Sequence, residues 1–323
     1  MTLRFTVDPW DPGYAATAET GLAAELDASA APTDLTVEMP ADRWQPIDAD
    51  RAQVATRVLF VDGVRRIEAR VWLMDGIGAA EPGIAASYAA GVVVCDGAAR
   101  VGEVAMERGV FAAVPSLVPI ETARAGRFER HLADDGTLAK LSVAMQRRMR
   151  TVEIDTAVRA RNGSTDDLLV VDGPLRGRES LPRTIGYIKT HQKSYLAEPQ
   201  QRTVAALAPR QRTPVFRLGS TWSRYTWYLR LPGPITHTWA GIVRCECSDR
   251  VTPAAAIELA DVSAATLPRF ASSAHKEPRA PQNLYPIAGL EHALRHRLGD
   301  RTLIHRELLR AAHATTGART SAV

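Results

Sequence analysis

The order of apolar and polar positions divides the chain into a strand-rich first part and a more mixed second part. Residues 57–61 form a short β-type run that closes at Asp62-Gly63, a dipeptide that signals a turn. Residues 66–73 alternate, with Ile67, Ala69, Val71 and Leu73 on one side, as in a half-buried strand. Asp75-Gly76 marks a further tight turn, and residues 84–95 are a third strand run rich in small and β-branched residues. Three strands joined by short turns predict an antiparallel meander. The period then changes. Leu138, Leu141, Met145, Met149 and Val152 recur at helical spacing, which predicts a helix over 138–156 that Asn162-Gly163 breaks. The run Leu168-Leu169-Val170-Val171 is continuous and apolar, as in a buried central strand, and it stops at Asp172-Gly173-Pro174. Further strands are predicted over 214–218, 226–231 and 241–247, and two helices over 286–298 and 303–313.

The first 45 residues show weak periodicity, with a short helix expected over 21–28. They read as an acidic N-terminal arm, residues 46–314 as the main domain, and 315–323 as a flexible tail. Residues 1–50 carry ten Asp/Glu against two Lys/Arg, a net of −8. The whole chain has a net charge of +4, so the remainder carries +12. From 173 to 230 there are eleven Lys/Arg and two acids, which points to a polyanionic partner or to a solvated basic face.

The chain has 323 residues, 46% of them hydrophobic and 24% charged, enough for a full core. Three cysteines and the lack of a secretion-signal pattern at the N-terminus suggest a cytoplasmic protein. No apolar run approaches membrane-spanning length, so no membrane association is expected. Cys245 and Cys247 lie two apart in a strand run, where they read as core residues facing one side. There is no Walker-type phosphate loop, no third glycine to complete a dinucleotide fingerprint at Gly76-Ile77-Gly78, and no Gly-x-Ser-x-Gly elbow.

The sharpest chemical signal is a pair of strand ends, Val61-Asp62-Gly63 and Val171-Asp172-Gly173. In an open α/β sheet the carboxyl ends of strands form the ligand crevice. Two buried carboxylates side by side repel one another, and a divalent cation with oxygen ligands removes that conflict. Asp-Gly also makes ordinary turns, and Asp96-Gly97, which likewise follows a β run, is the competing candidate. Glu153, near the end of the predicted helix, is the third carboxylate chosen, with Glu68 and Glu103 as alternatives. Lys189, Lys193, Tyr195 and Arg176 follow Asp172 in a basic and aromatic segment suited to phosphates and bases. Trp222, Tyr225, Trp227 and Tyr228 form either a stacking wall beside Arg224 or a strand core. His292 is a candidate metal-site or general-acid histidine.

These motifs, Phe60-Val61-Asp62-Gly63, Val170-Val171-Asp172-Gly173-Pro174-Leu175, Gly186-Tyr187-Ile188-Lys189-Thr190-His191 and Leu290-Glu291-His292-Ala293, occur in an order and spacing that resembles the NurA nuclease family, in a divergent bacterial form. The resemblance spans roughly residues 55–300. It implies an α/β fold with a ribonuclease-H-like mixed sheet, an antiparallel meander plus a parallel strand, flanked by helices. It implies a manganese- or magnesium-dependent DNA nuclease that forms a homodimer and works with a HerA-type hexameric ATPase in DNA-end processing or phage defence. It makes Asp62, Asp172 and Glu153 metal ligands of a two-metal site, with Tyr195 near the substrate and His292 near the metals. Family members commonly have Gly-Ser after the first aspartate, whereas this chain has Gly63-Val64. That departure keeps open a catalytically inactive DNA-binding or assembly subunit on the same fold. A metal-dependent phosphatase is a third reading.

Overall fold

The computed structural model describes residues 4–7, 27–28, 31–49, 52–74, 80–190, 193–219 and 222–317. Strands β5 (Val58–Met74), β6 (Ala80–Cys95) and β7 (Ala99–Ala112) form the antiparallel meander. β8 (Ile120–Thr122) and β9 (Gly126–Leu132) follow, and β9 pairs parallel to β7. Helix α1 (Leu138–Arg161) leads into β10 (Leu168–Asp172), which pairs parallel to β5 on its free edge. β11 (Thr184–Ile188) pairs parallel to β10. The central order is therefore β7-β6-β5-β10-β11. β14 (Phe216–Leu218), β15 (Arg224–Arg230) and β16 (Ile242–Ser248) extend the sheet beyond β11 in antiparallel fashion. Helices α2 (Glu198–Ala206), α3 (Pro253–Thr266), α4 (Tyr285–Arg297) and α5 (Arg301–Gly317) complete the chain. The result is an α/β protein with a large mixed sheet flanked by helices.

The meander is present, but its members differ from the expectation. The runs over 57–61 and 66–73 are one strand, the 17-residue β5, so Asp62-Gly63 makes no turn. Asp62 lies inside a strand and not at its end. The physical reason is the partner: Asp62 and Gly63 pair with Gly91 and Ala90 in a long ladder whose hydrogen bonds override the local turn preference. The third meander strand, β7, lacks a clean apolar alternation because its first half is exposed. Helices α2 and α3 also went unread; α3 is apolar on most sides and has almost no polar face to mark its period.

The arm is woven into the fold where it is described. β1 (Arg4–Val7) pairs with β5, β3 (Thr33–Asp34) with β14, and β4 (Ile47–Asp48) with β13 (Gln211–Arg212). β2 (Asp27–Ala28) pairs with β12 (Lys193–Ser194), so the last two residues of the expected helix over 21–28 are extended, and the rest of it lies outside the described residues. Glu38 forks onto the fully buried Arg212 at 2.8 Å through both of its oxygens. α5 runs to Gly317, so the expected tail begins inside a helix, and its last six residues lie outside the description.

The two sheet faces are sorted by strand alternation. Leu59, Val61, Leu169 and Val171 pack with Ala157 of α1. Val58, Phe60, Val64, Leu168 and Val170 pack with Ile287, Leu290 and Leu294 of α4 and with the apolar side of α3. α1 keeps its phase by burying Leu141, Met145, Met149 and Val152, starts at Thr137, whose hydroxyl accepts from the Lys140 N–H, and stops at Asn162 in the left-handed conformation. Leu168, Leu169 and Val170 are completely buried, and each such side chain contributes about 1.5–3 kcal/mol by leaving water. Cys245 and Cys247 are buried free thiols within the α4-side core, as their spacing predicts.

Candidate carboxylate site

Asp172 is the last residue of β10. The ladder with β5 ends at Val171 opposite Val61, so the next residue on each strand, Asp172 and Asp62, lies where the parallel pairing stops. Both side chains point to the α4 face, in phase with Val170 and Phe60. Gly173, at φ +96°, turns the chain sharply, and its N–H donates to the Tyr187 carbonyl at 2.8 Å. The turn folds back over Gly186, where a Cβ would lie 2.9 Å from the Gly173 carbonyl oxygen and from the Leu175 nitrogen. The completely buried Glu246 accepts from the Leu175 N–H at 2.7 Å and fixes the turn from below.

A third acid arrives from α4. Gly91, the cross-strand partner of Asp62, has no side chain, and Leu290 and Leu294 fill that space; a Cβ there would lie 3.0 and 3.1 Å from their methyl carbons. This close approach carries Glu291 over the strand ends. Asp62, Asp172 and Glu291 each present an oxygen, and the three oxygens lie within 4.8 Å of one another.

The oxygens of the two aspartates are unequally committed. Asp62 is 8% exposed; its Oδ1 accepts from the Gly63 N–H at 2.7 Å, while Oδ2 is buried without a hydrogen-bond partner. Asp172 Oδ2 accepts from Lys189 Nζ at 2.6 Å, and Lys189 also donates to Asn283 Oδ1 at 3.0 Å. Asp172 Oδ1 is buried and has no hydrogen-bond partner. Arg279 spans both oxygens of Glu291, at 2.6 and 3.3 Å. Burial pushes the Asp62 carboxyl up to about 8, and the charges of Asp172 and Glu291 add to the effect. Burial also raises Asp172, against the opposing pull of Lys189. An uncompensated buried carboxylate beside two others is the electrostatic condition that a cation relieves.

The other residues singled out from the sequence fall in different places. Glu153 comes from α1, on the other face of the sheet. It lies over Gly63, whose missing side chain makes room for it, and pairs with Arg178. Its carboxylate is not part of the compact group, and Glu291 is the acid that joins Asp62 and Asp172. His292, the next residue on α4, is exposed and is not part of the compact group. Lys189 is in the cluster, as a partner of Asp172. Arg176 is exposed on the turn after Asp172. Tyr195 is half-buried beneath the Arg244 guanidinium, 5.1 Å from its ring centroid. The side chain of Lys193 lies outside the described residues. Of the aromatic group, Tyr225, Trp227 and Tyr228 are buried, whereas Trp222 is partly open and stacks with Arg224 at 4.8 Å. Asp96 is tied to Arg100 at the mouth of a hairpin, Glu68 is buried with Arg66, and Glu103 faces Arg159.

Sequence reasoning missed Glu291, Arg279 and Asn283. A signal for Glu291 existed: Ile287, Leu290 and Leu294 fix the buried stripe of α4, and the residue after Leu290 flanks that stripe. Arg279 and Asn283 sit in an irregular segment with no period to read. A cavity of about 920 Å³ opens at the opposite ends of β5 and β10, lined by Thr56, Asp166, Arg183 and Glu258. It has no part in the cluster.

No family model matches the chain, and no curated protein matches it. Among the described residues, no helix is long and apolar enough to cross a membrane.

Proposed function

We propose that the protein is a divalent-metal-dependent deoxyribonuclease on a ribonuclease-H-like fold, resembling the NurA nucleases. The observation that carries this reading is the Asp62–Asp172–Glu291 group, with one unpartnered buried oxygen on each aspartate. The donor set is all oxygen and acidic, which suits Mn²⁺ or Mg²⁺ and not a thiophilic metal. The strand order β7-β6-β5-β10-β11, three antiparallel strands followed by two parallel ones, supports the fold assignment. The metal, when bound, supplies Lewis-acid stabilisation of a phosphoryl oxygen and a more acidic water.

The chain's own residues hold and orient. Asp62 and Asp172 supply the free oxygens, and Glu291 closes the third side under the restraint of Arg279. Lys189 keeps Asp172 in place and sets a positive charge at the mouth of the site. Arg176, on the adjoining turn, is placed to meet a phosphate. Within the basic stretch over 173–230, Arg176, Arg202, Arg210 and Arg217 are exposed, which favours a polynucleotide over a small phosphoester. The partnership with a HerA-type hexameric ATPase and the homodimer belong to the same reading.

The test is cleavage of single- and double-stranded DNA with Mn²⁺, Mg²⁺ or EDTA by the purified protein and by Asp62→Asn and Asp172→Asn, alone and with a HerA-type partner. Metal-dependent cleavage lost in both variants supports the proposal; cleavage that survives in either overturns the site. A second reading, an inactive DNA-binding subunit, draws on Val64 after Gly63 and on the two basic side chains that already neutralise Asp172 and Glu291. It predicts DNA binding without cleavage under every metal condition.

A further inference from the structure

Every acid around the site except Asp62 already has a basic partner among the described residues. Lys189 Nζ is 2.6 Å from Asp172, Arg279 is 2.6 Å from Glu291, and Arg178 pairs with Glu153. Arg279 is shared with Glu277, at 3.2 Å, so five carboxylates face three cations. With Asp62 ionised, two negative charges are left over.

The hydrogen bonds tell the same story atom by atom. Lys189 takes Asp172 Oδ2, the Gly63 N–H takes Asp62 Oδ1, and Arg279 reaches both oxygens of Glu291. What remains is Asp62 Oδ2 and Asp172 Oδ1, both buried and without partners. Asp62 itself is 8% exposed, so its free oxygen is a buried polar atom inside the acidic group and not a solvated surface carboxylate.

We propose, resting on the nuclease reading above, that this site takes a single divalent cation, between Asp62 and Asp172 with Glu291 beside them, and that the Lys189 ammonium holds the position of a second ion. Two ions bridged through the two oxygens of one carboxylate would need both of them open, and here each aspartate has one to give. The charge balance agrees. One divalent ion cancels the leftover charge of −2. Two ions would leave +2, and a buried unbalanced charge is costly. Lys189 is not free to move aside at no cost. It is anchored on its other side by Asn283, which is completely buried, and it follows directly on β11 beside the strand that ends at Asp172. Lys189 is thereby a positioning residue for Asp172 and the site's second positive charge.

Counting bound Mn²⁺ tests this, by titration calorimetry and by the electron paramagnetic resonance signal of free Mn²⁺, on the full chain. The expected counts are one ion per chain in the wild type, none in Asp62→Asn over the same concentration range, two in Lys189→Met and one in Lys189→Arg. Two ions in the wild type overturn the single-ion site while leaving metal-dependent cleavage intact. One ion in a folded Lys189→Met overturns the assignment of Lys189. If Lys189→Met does not fold, the wild-type count decides the single-ion site, and an unchanged count with an unchanged affinity in Lys189→Gln overturns the role of Lys189. No Mn²⁺ bound by the wild type, together with no metal-dependent cleavage, overturns the underlying nuclease reading as well.

Discussion

Asp172 ends its strand beside Asp62, which lies in the interior of its own strand. Val171 and Val61 are the last residues in parallel register, and the two aspartates follow immediately on the same face. β5 continues for another twelve residues beside β6, while β10 turns away at Gly173. The crevice is thus made by the end of one strand against the flank of a longer one. Asp62→Asn and Asp172→Asn should each reduce metal-dependent cleavage by more than the ~10–100-fold typical of losing a group that only supports a metal ligand. Initial rates on a labelled DNA duplex, with circular dichroism to confirm folding, check this.

The raised Asp62 carboxyl predicts an unusual pH dependence of stability without metal. In the unfolded chain this group ionises near its ordinary value of about 4. In the folded chain it keeps its proton up to about 8. Between these limits the folded state binds the extra proton, so stability falls as pH rises through the window. In EDTA, the melting temperature of the wild type should drop relative to Asp62→Asn from about pH 4 to about pH 8, and the gap should stop growing above that. Saturating Mn²⁺ should reverse the order at pH 8, because only the wild type binds the ion. Melting curves that run parallel for the two proteins across this range would rule out the shift.

Gly91 holds α4 close to the sheet. A valine there would overlap Leu290 and Leu294 and push the helix outward. Gly91→Val should destabilise the fold by about 1–3 kcal/mol in urea titration. It should also weaken Mn²⁺ binding, since Glu291 moves with α4, whereas Gly109→Ala on β7, which crowds Phe111 and His131 instead of α4, should destabilise the fold and leave Mn²⁺ affinity unchanged.

Glu246 is a single buried carboxylate that gathers Arg224 at 3.0 Å, Arg244 at 2.8 Å and the Leu175 N–H. Glu246→Ala removes the buried carboxylate that two buried guanidinium groups share and should cost about 3–5 kcal/mol by denaturant titration. Because the Leu175 N–H anchors the turn after Asp172, Glu246→Gln should retain more of the fold and still lower cleavage.

Arg176 stands exposed on that turn. Arg176→Ala should weaken DNA binding uniformly across sequences and lower the slope of log K against log salt by about 1. Fluorescence anisotropy at several salt concentrations measures it.

Much of this molecule was written locally. The continuous apolar run before Asp172 announced a buried strand, because a strand covered on both faces has no polar side to show. Helices α1, α4 and α5 were legible from stripes that one packed face imposes at a period of 3.6 residues. The role of the second aspartate and the identity of the third acid were decided elsewhere. Asp62-Gly63 carries a turn signal, and only the ladder with β6 keeps it extended, since hydrogen bonds to a partner strand outweigh a dipeptide's preference. Glu153 and Glu291 are alike as helical glutamates. What separates them is the face of the sheet on which each helix lands, and that follows from the chain's crossing between layers and from Gly91 admitting α4. Lys189 reads as one more basic residue along the chain; its place on Asp172 exists because β11 lies parallel to β10, which brings the ends of both strands to one side of the sheet.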